Sequence, residues 1–208
     1  MAQVNSILSV SSQCTPQIYI LSHLFTEKQY IPLQPLIYLV GFMGCGKTTL
    51  AQHLAQHLSC RFLDTDEFVA QYTRQSITQL FAKGGEGYFR HIESACLQYI
   101  AQQYSRTIVA TGGGMPCFFD NMSLINATGS SIYLKVANEL LCQRLWEMPN
   151  KRPLLQGINN PNALRQYIDQ SIAKRQAFYQ QAHHTIAINS EADFDIPTII
   201  AQIDCLFT

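Results

Sequence analysis

The chain has 208 residues, 47% of them hydrophobic and 13% charged, and its fourteen basic side chains balance fourteen acidic ones. That apolar content supports a single-domain core and excludes a disordered chain. The charge balance excludes the broad basic face that holds nucleic acid or an anionic membrane. The seven cysteines are odd in number and form no C-x-x-C pair. A disulfide framework or zinc site is therefore not expected, and a reducing, cytoplasmic compartment is. No apolar stretch approaches the ~20 residues that span a bilayer, so no membrane partner is expected.

Residues 1–35 contain no basic residue before Lys28 and are not arginine-rich, a pattern that fits neither a secretory nor an organellar signal. Their apolar residues, among them Ile18, Tyr19, Ile20, Leu21, Leu24 and Phe25, suit either a packing extension or a loose tail. We treat 1–35 as an extension without an assigned role and 36–208 as one domain.

Residues 36–40 are a short apolar run ending at Gly41 and read as a buried strand. Beyond Gly46 the period becomes helical, with Leu50, Leu54 and Leu58 on one stripe. Residues 61–64 read as a second strand, followed by helical patterns at 66–73, 76–82 and 86–104. Residues 107–110 form a third strand closed by three glycines, 131–135 a fourth and 185–188 a fifth. Helices are expected over 138–146 and 162–181, and a closing one carries Ile196, Ile199, Ile200 and Ile203. Between them, Pro149, Pro153, Gly157 and Pro161 make a loop. Strands alternating with helices imply an α/β fold with a parallel sheet covered on both faces.

Gly41-Phe-Met-Gly-Cys-Gly-Lys-Thr48 fits G-x-x-x-x-G-K-[ST] and lies where that motif belongs, between a strand and a helix. Its glycines let backbone N–H groups turn toward phosphate oxygens, and the helix N-terminus adds partial positive charge. Lys47 reaches the β- and γ-phosphates of a nucleotide and the Thr48 hydroxyl suits Mg²⁺. Cys45 is either a small spacer in this loop or a thiol activated by the helix terminus and Lys47.

Asp64 and Asp66 end the second strand two residues apart and so project to one side of an extended chain. Ligands of open parallel sheets collect beyond the strands' carboxyl ends, where the P-loop also opens. One carboxylate is placed for Mg²⁺ and the other to orient or deprotonate a substrate hydroxyl. Asp66 is also a candidate cap for the next helix. Thr111 to Gly114 lets a ligand approach bare backbone, with Thr111 where P-loop proteins carry a second magnesium-associated residue. Arg90 and Arg175 suit either solvated helix faces with ion-pair partners or a ligand. Arg152 sits in a loop able to close over phosphates, and Arg144 can stack on a flat base.

Taken together, Gly41 to Thr49, Phe62-Leu-Asp-Thr-Asp66, Phe81 to Arg90 with Glu93, Ala110 to Gly114, Arg152-Pro-Leu-Leu155 and Lys174 to Tyr179 resemble the shikimate kinase family in order and spacing. The resemblance covers the chain from about Leu36 onward. It implies a three-layer P-loop kinase fold of the nucleoside-monophosphate-kinase type, with a five-stranded parallel sheet in the order 2-3-1-4-5. It implies phosphorylation of shikimate by ATP with Mg²⁺, in a monomer. It also implies roles. Gly44, Cys45, Gly46, Lys47, Thr48 and Thr49 hold the nucleotide phosphates, and Thr48 and Asp64 take the metal. Asp66 is the candidate base on the ring hydroxyls, Arg90 and Arg175 clamp the carboxylate, and Gly113 lies against the substrate. Arg152 is the arginine of a lid over about 147–161, and Arg144 neighbours the adenine. The competing readings are another small-metabolite kinase, such as a gluconate-type enzyme, and a catalytically silent nucleotide-binding regulator.

Overall fold

The computed structural model describes residues 36–147, 153–155 and 157–206. The first 35 residues, Arg152 and the tip of the expected lid lie outside the described residues. Five parallel strands form one sheet in the order β2-β3-β1-β4-β5. They are β1 (Leu36–Val40), β2 (Arg61–Asp64), β3 (Thr107–Ala110), β4 (Gly129–Val136) and β5 (His184–Ile188). The expected order and parallel sense are therefore present. The fourth strand begins earlier than its apolar run, because Gly129 and Ser130 continue the register opposite Leu36 and Ile37.

Alternation along β1 assigns its side chains to two cores. Leu36, Tyr38 and Val40 pack with Leu97, Ile100, Met122 and Ile125 on one face. Leu39 packs on the other with Leu50, Leu54, Leu141 and Ile199. Each fully buried aliphatic side chain here contributes roughly 1.5–3 kcal/mol relative to exposure. Central strands buried on both faces explain why they read as continuous apolar runs.

The helices are α1 (Lys47–His57), α2 (Thr65–Thr73), α3 (Ile77–Gln103), α4 (Asn121–Thr128), α5 (Asn138–Glu147), α6 (Pro161–Tyr179) and α7 (Ile196–Leu206). The patterns at 76–82 and 86–104 join in α3, broken only at Gly85, whose φ of 72° and ψ of −170° are non-helical. A capping box starts α3, with Ser76 and Gln79 each bonding the other's backbone N–H. At α6, Asn160 accepts from the Ala163 N–H at 2.8 Å and Pro161 fills the first turn. Helix α4 was not legible in the sequence. It has eight residues and no side-chain cap, and it buries only Asn121, Met122 and Ile125. Asn121 ties it down, donating to the Met115 carbonyl at 2.8 Å and accepting from Ser94 at 2.7 Å.

Candidate active site

The loop after β1 curls because three of its glycines take positive φ: 144° at Gly41, 80° at Gly44 and 93° at Gly46. A side chain at Gly46 would collide with the Phe194 ring. Gly46 also stands at the N-cap of α1 without a side-chain cap bond. The first-turn amides of an eleven-residue helix are thus left for a ligand, the arrangement that binds phosphate. Lys47 Nζ donates to the carbonyls of Gly41 and Phe42, both at 2.9 Å, and to Cys45 Sγ at 3.4 Å. The ammonium therefore lies inside the curl and holds its shape.

Cys45 is fully buried and packs in the hydrophobic core. Core packing shields its sulfur from reagents, and the Lys47 ammonium is its polar neighbour.

Asp64 works with both oxygens. Oδ2 accepts from the Thr48 hydroxyl at 2.7 Å, while Oδ1 caps α2 by accepting from the Asp66 N–H at 2.9 Å and the Glu67 N–H at 3.4 Å. The helix cap is thus Asp64, where the sequence allowed Asp66. Thr48 and Asp64 present hard oxygen donors beside the cradle, which fits the chemistry of a magnesium site. The Thr111 hydroxyl donates to the Leu39 carbonyl at 2.9 Å and so splices β3 to β1, while Thr111 also lines the cleft with Thr48 and Asp64.

From the cradle a cleft of about 620 Å³ runs to Arg144, Glu147, Glu191 and Phe194. Arg144 donates twice to Glu191, both at 2.7 Å, and lies 4.7 Å over the Phe194 ring. The flat guanidinium expected beside a base is thus already oriented by two residues that the sequence did not reveal as site residues. Their only local signal is the capping box between Ser190 and Asp193.

A second, narrower hollow adjoins the cleft. Asp66, Met43 and Gly113 line both, so the two meet at Asp66. Arg90, Glu93, Gly112, Gly114 and Arg175 line the second hollow. The alternative of a solvated helix face for Arg90 fails, since its side chain is 4% exposed. It bonds Glu93 at 2.7 Å and Glu86 at 2.9 Å, lies 4.4 Å over the Phe118 ring, and seats against Gly114, where any Cβ would overlap the guanidinium. Arg175 lies 5.5 Å over Phe42, and its Nη1 is buried without a hydrogen-bond partner. A buried cationic donor left unpaired is costly, and its chemistry suits an anionic ligand.

Glu93, named in the sequence only as part of the family resemblance, pairs with Arg90 at 2.7 Å. It is 1% exposed, and its Oε1 has no partner. Burial raises its pKa to about 7, against the pull of Arg90, and Asp66 adds to the rise. Folded Glu93 thus keeps its proton over a range in which unfolded Glu93, near 4.5, has lost it. Its contribution to stability is fully present below that value and is lost as pH rises through about 7. Glu93→Gln should remove this dependence. Urea unfolding at stepped pH should show the variant gaining on the wild type by about 1–3 kcal/mol between acid and neutral pH. Parallel stability curves would contradict this reading.

A parallel sheet in this order, an uncapped helix behind a glycine cradle and a carboxylate at the mouth define a P-loop kinase. The shikimate kinase family model matches residues 43–204. A shikimate kinase of Azobacteroides pseudotrichonymphae is 44% identical over 146 residues, 70% of this chain and 85% of that protein. The crystal structure of shikimate kinase from Bacteroides thetaiotaomicron superposes with a TM-score of 0.76 at 34% identity, covering 83% of this chain and 98% of that one. Shikimate kinase from Acinetobacter baumannii in complex with shikimate gives 0.74 at 36% identity, covering 84% and 95%. This chain belongs to the shikimate kinase family.

Proposed function

We propose that this chain transfers the γ-phosphate of ATP to the 3-hydroxyl of shikimate, giving ADP and shikimate 3-phosphate. The observation that carries this reading is the meeting of two spaces at Asp66: a phosphate-binding cleft and a hollow faced by Arg90 and Arg175. A small hydroxylated carboxylate held by the two guanidiniums would set a hydroxyl beside Asp66, at the mouth of the cleft. The Acinetobacter relative is itself a complex with shikimate.

In this reading the substrate oxygen attacks the γ-phosphorus, the bond to the β,γ-bridging oxygen breaks, and Asp66 accepts the hydroxyl proton. Lys47 and the amides of Gly44 to Thr49 face the phosphates, and Arg144 faces the adenine. Thr48 and Asp64 would hold Mg²⁺, which when bound neutralises charge on the β- and γ-phosphates. Arg90 and Arg175 make charge-assisted bonds to the carboxylate while Gly113 lies against the ring. Arg152, outside the described residues, is assigned to the lid. The free thiols of Cys45, Cys60, Cys96, Cys117 and Cys142 support a reducing cytoplasm.

Arg175→Ala tests the clamp. Loss of a charged bond to the carboxylate should raise the KM for shikimate about 10- to 100-fold and leave the KM for ATP within about 2-fold. Equal changes in both constants, or an unchanged shikimate KM, would remove Arg175 from the clamp.

A further inference from the structure

Arg90, one half of the proposed clamp, is met by the segment that follows β3. Phe118 and Phe119 stand there side by side and touch two consecutive residues of α3. The Phe118 ring centre lies 4.4 Å from the Arg90 guanidinium, and the Phe119 ring lies 4.7 Å from the His91 ring. The backbone turns sharply at this pair. Phe119 takes a φ of 50°, a left-handed conformation that is costly for a bulky residue. Phe119 is itself 53% exposed, so burial of its ring does not account for the turn. The turn sends the Phe118 ring inward to Arg90. Asn121 anchors the segment, its N–H donating to the Phe118 carbonyl at 3.3 Å and its side chain bonding Ser94 of α3 at 2.7 Å.

We infer that Phe118 is a positioning residue that holds the Arg90 guanidinium ready for a carboxylate, through the face of its ring and without touching the ligand. This rests on the proposed function above. The bonds of Arg90 to Glu86 and Glu93 take three of its five N–H groups. They fix the edges of the flat group but leave it able to tilt. A third carboxylate would resist the tilt only by taking N–H groups that a ligand needs. An aromatic face attracts the cation and takes none. The Phe89 ring lies further off, at 5.1 Å. Phe118 is absent from the described residues that line the hollow, so its effect passes through Arg90. A guanidinium fixed beforehand has less freedom to lose when the ligand arrives.

The test is Phe118→Leu in the full chain, which keeps apolar bulk and removes the ring face. The KM for shikimate should rise about 5- to 10-fold, the size of a largely desolvated cation–π contact. The kcat and the KM for ATP should stay within about 2-fold, whereas a general loosening of the fold would move all three. A double-mutant cycle with Arg90→Met reads the path of the effect. Once the cation is gone, Phe118→Leu should cost nothing further in kcat/KM for shikimate. Pentafluorophenylalanine in place of Phe118 covers a leucine variant that folds poorly. It keeps the shape of the ring and reverses the charge on its face, so it should also raise the KM for shikimate, by about 5-fold or more. An unchanged KM for shikimate in either variant, or additive losses in the cycle, would overturn the role of Phe118. Wild-type enzyme without turnover of shikimate would instead overturn the substrate assignment.

Discussion

Asp66→Asn should lower kcat by about 10²- to 10⁴-fold, the usual range for removal of a general base. The amide is isosteric but cannot take the proton of the attacking hydroxyl. Asp66 lines both the phosphate cleft and the clamp hollow, so the loss should fall on turnover. The α2 cap comes from Asp64 instead, and the melting temperature should therefore hold. Steady-state kinetics with shikimate and ATP varied in turn, beside a thermal melt, separates these quantities. A variant retaining wild-type kcat would show that Asp66 only lines the wall.

Lys47→Met should also be close to inactive, with kcat down about 10²- to 10³-fold, comparable to removal of other preorganised charge from a transition state. Methionine keeps the length and apolar stem but removes two bonds to the Gly41 and Phe42 carbonyls. Those carbonyls lose a charged donor, so the cradle should also hold nucleotide less tightly. Calorimetric titration with ADP should show weaker binding together with the loss of turnover. Nearly normal turnover would mean that Lys47 serves the loop and not the transferring phosphate.

These variants fall on residues that the sequence exposed most clearly, and the reason is local. The cradle is written in consecutive residues because glycine φ angles, a helix terminus and a lysine must act within one turn. The central strands were legible because both of their faces are buried. What escaped depends on contacts distant in sequence. Arg90 reads as a solvated helical residue until Phe118 and Gly114, from beyond β3, close over it. Arg144 takes its orientation from Glu191, forty-seven residues away. The buried state of Glu93 has no counterpart in helical periodicity, and α4 depends on Asn121 more than on an apolar stripe. The capping of α2 by Asp64 rather than Asp66 was a choice between neighbours that only the backbone path settles.

The most direct measurement of the central claim is coupled ADP release by the purified full chain with Mg²⁺ and ATP. Shikimate, gluconate and AMP should each be offered as acceptor. ADP release with shikimate, and not with gluconate or AMP, is the expected result. Release with gluconate or AMP but not shikimate would contradict the assignment of the clamp, and nucleotide binding without release to any acceptor would contradict catalysis itself.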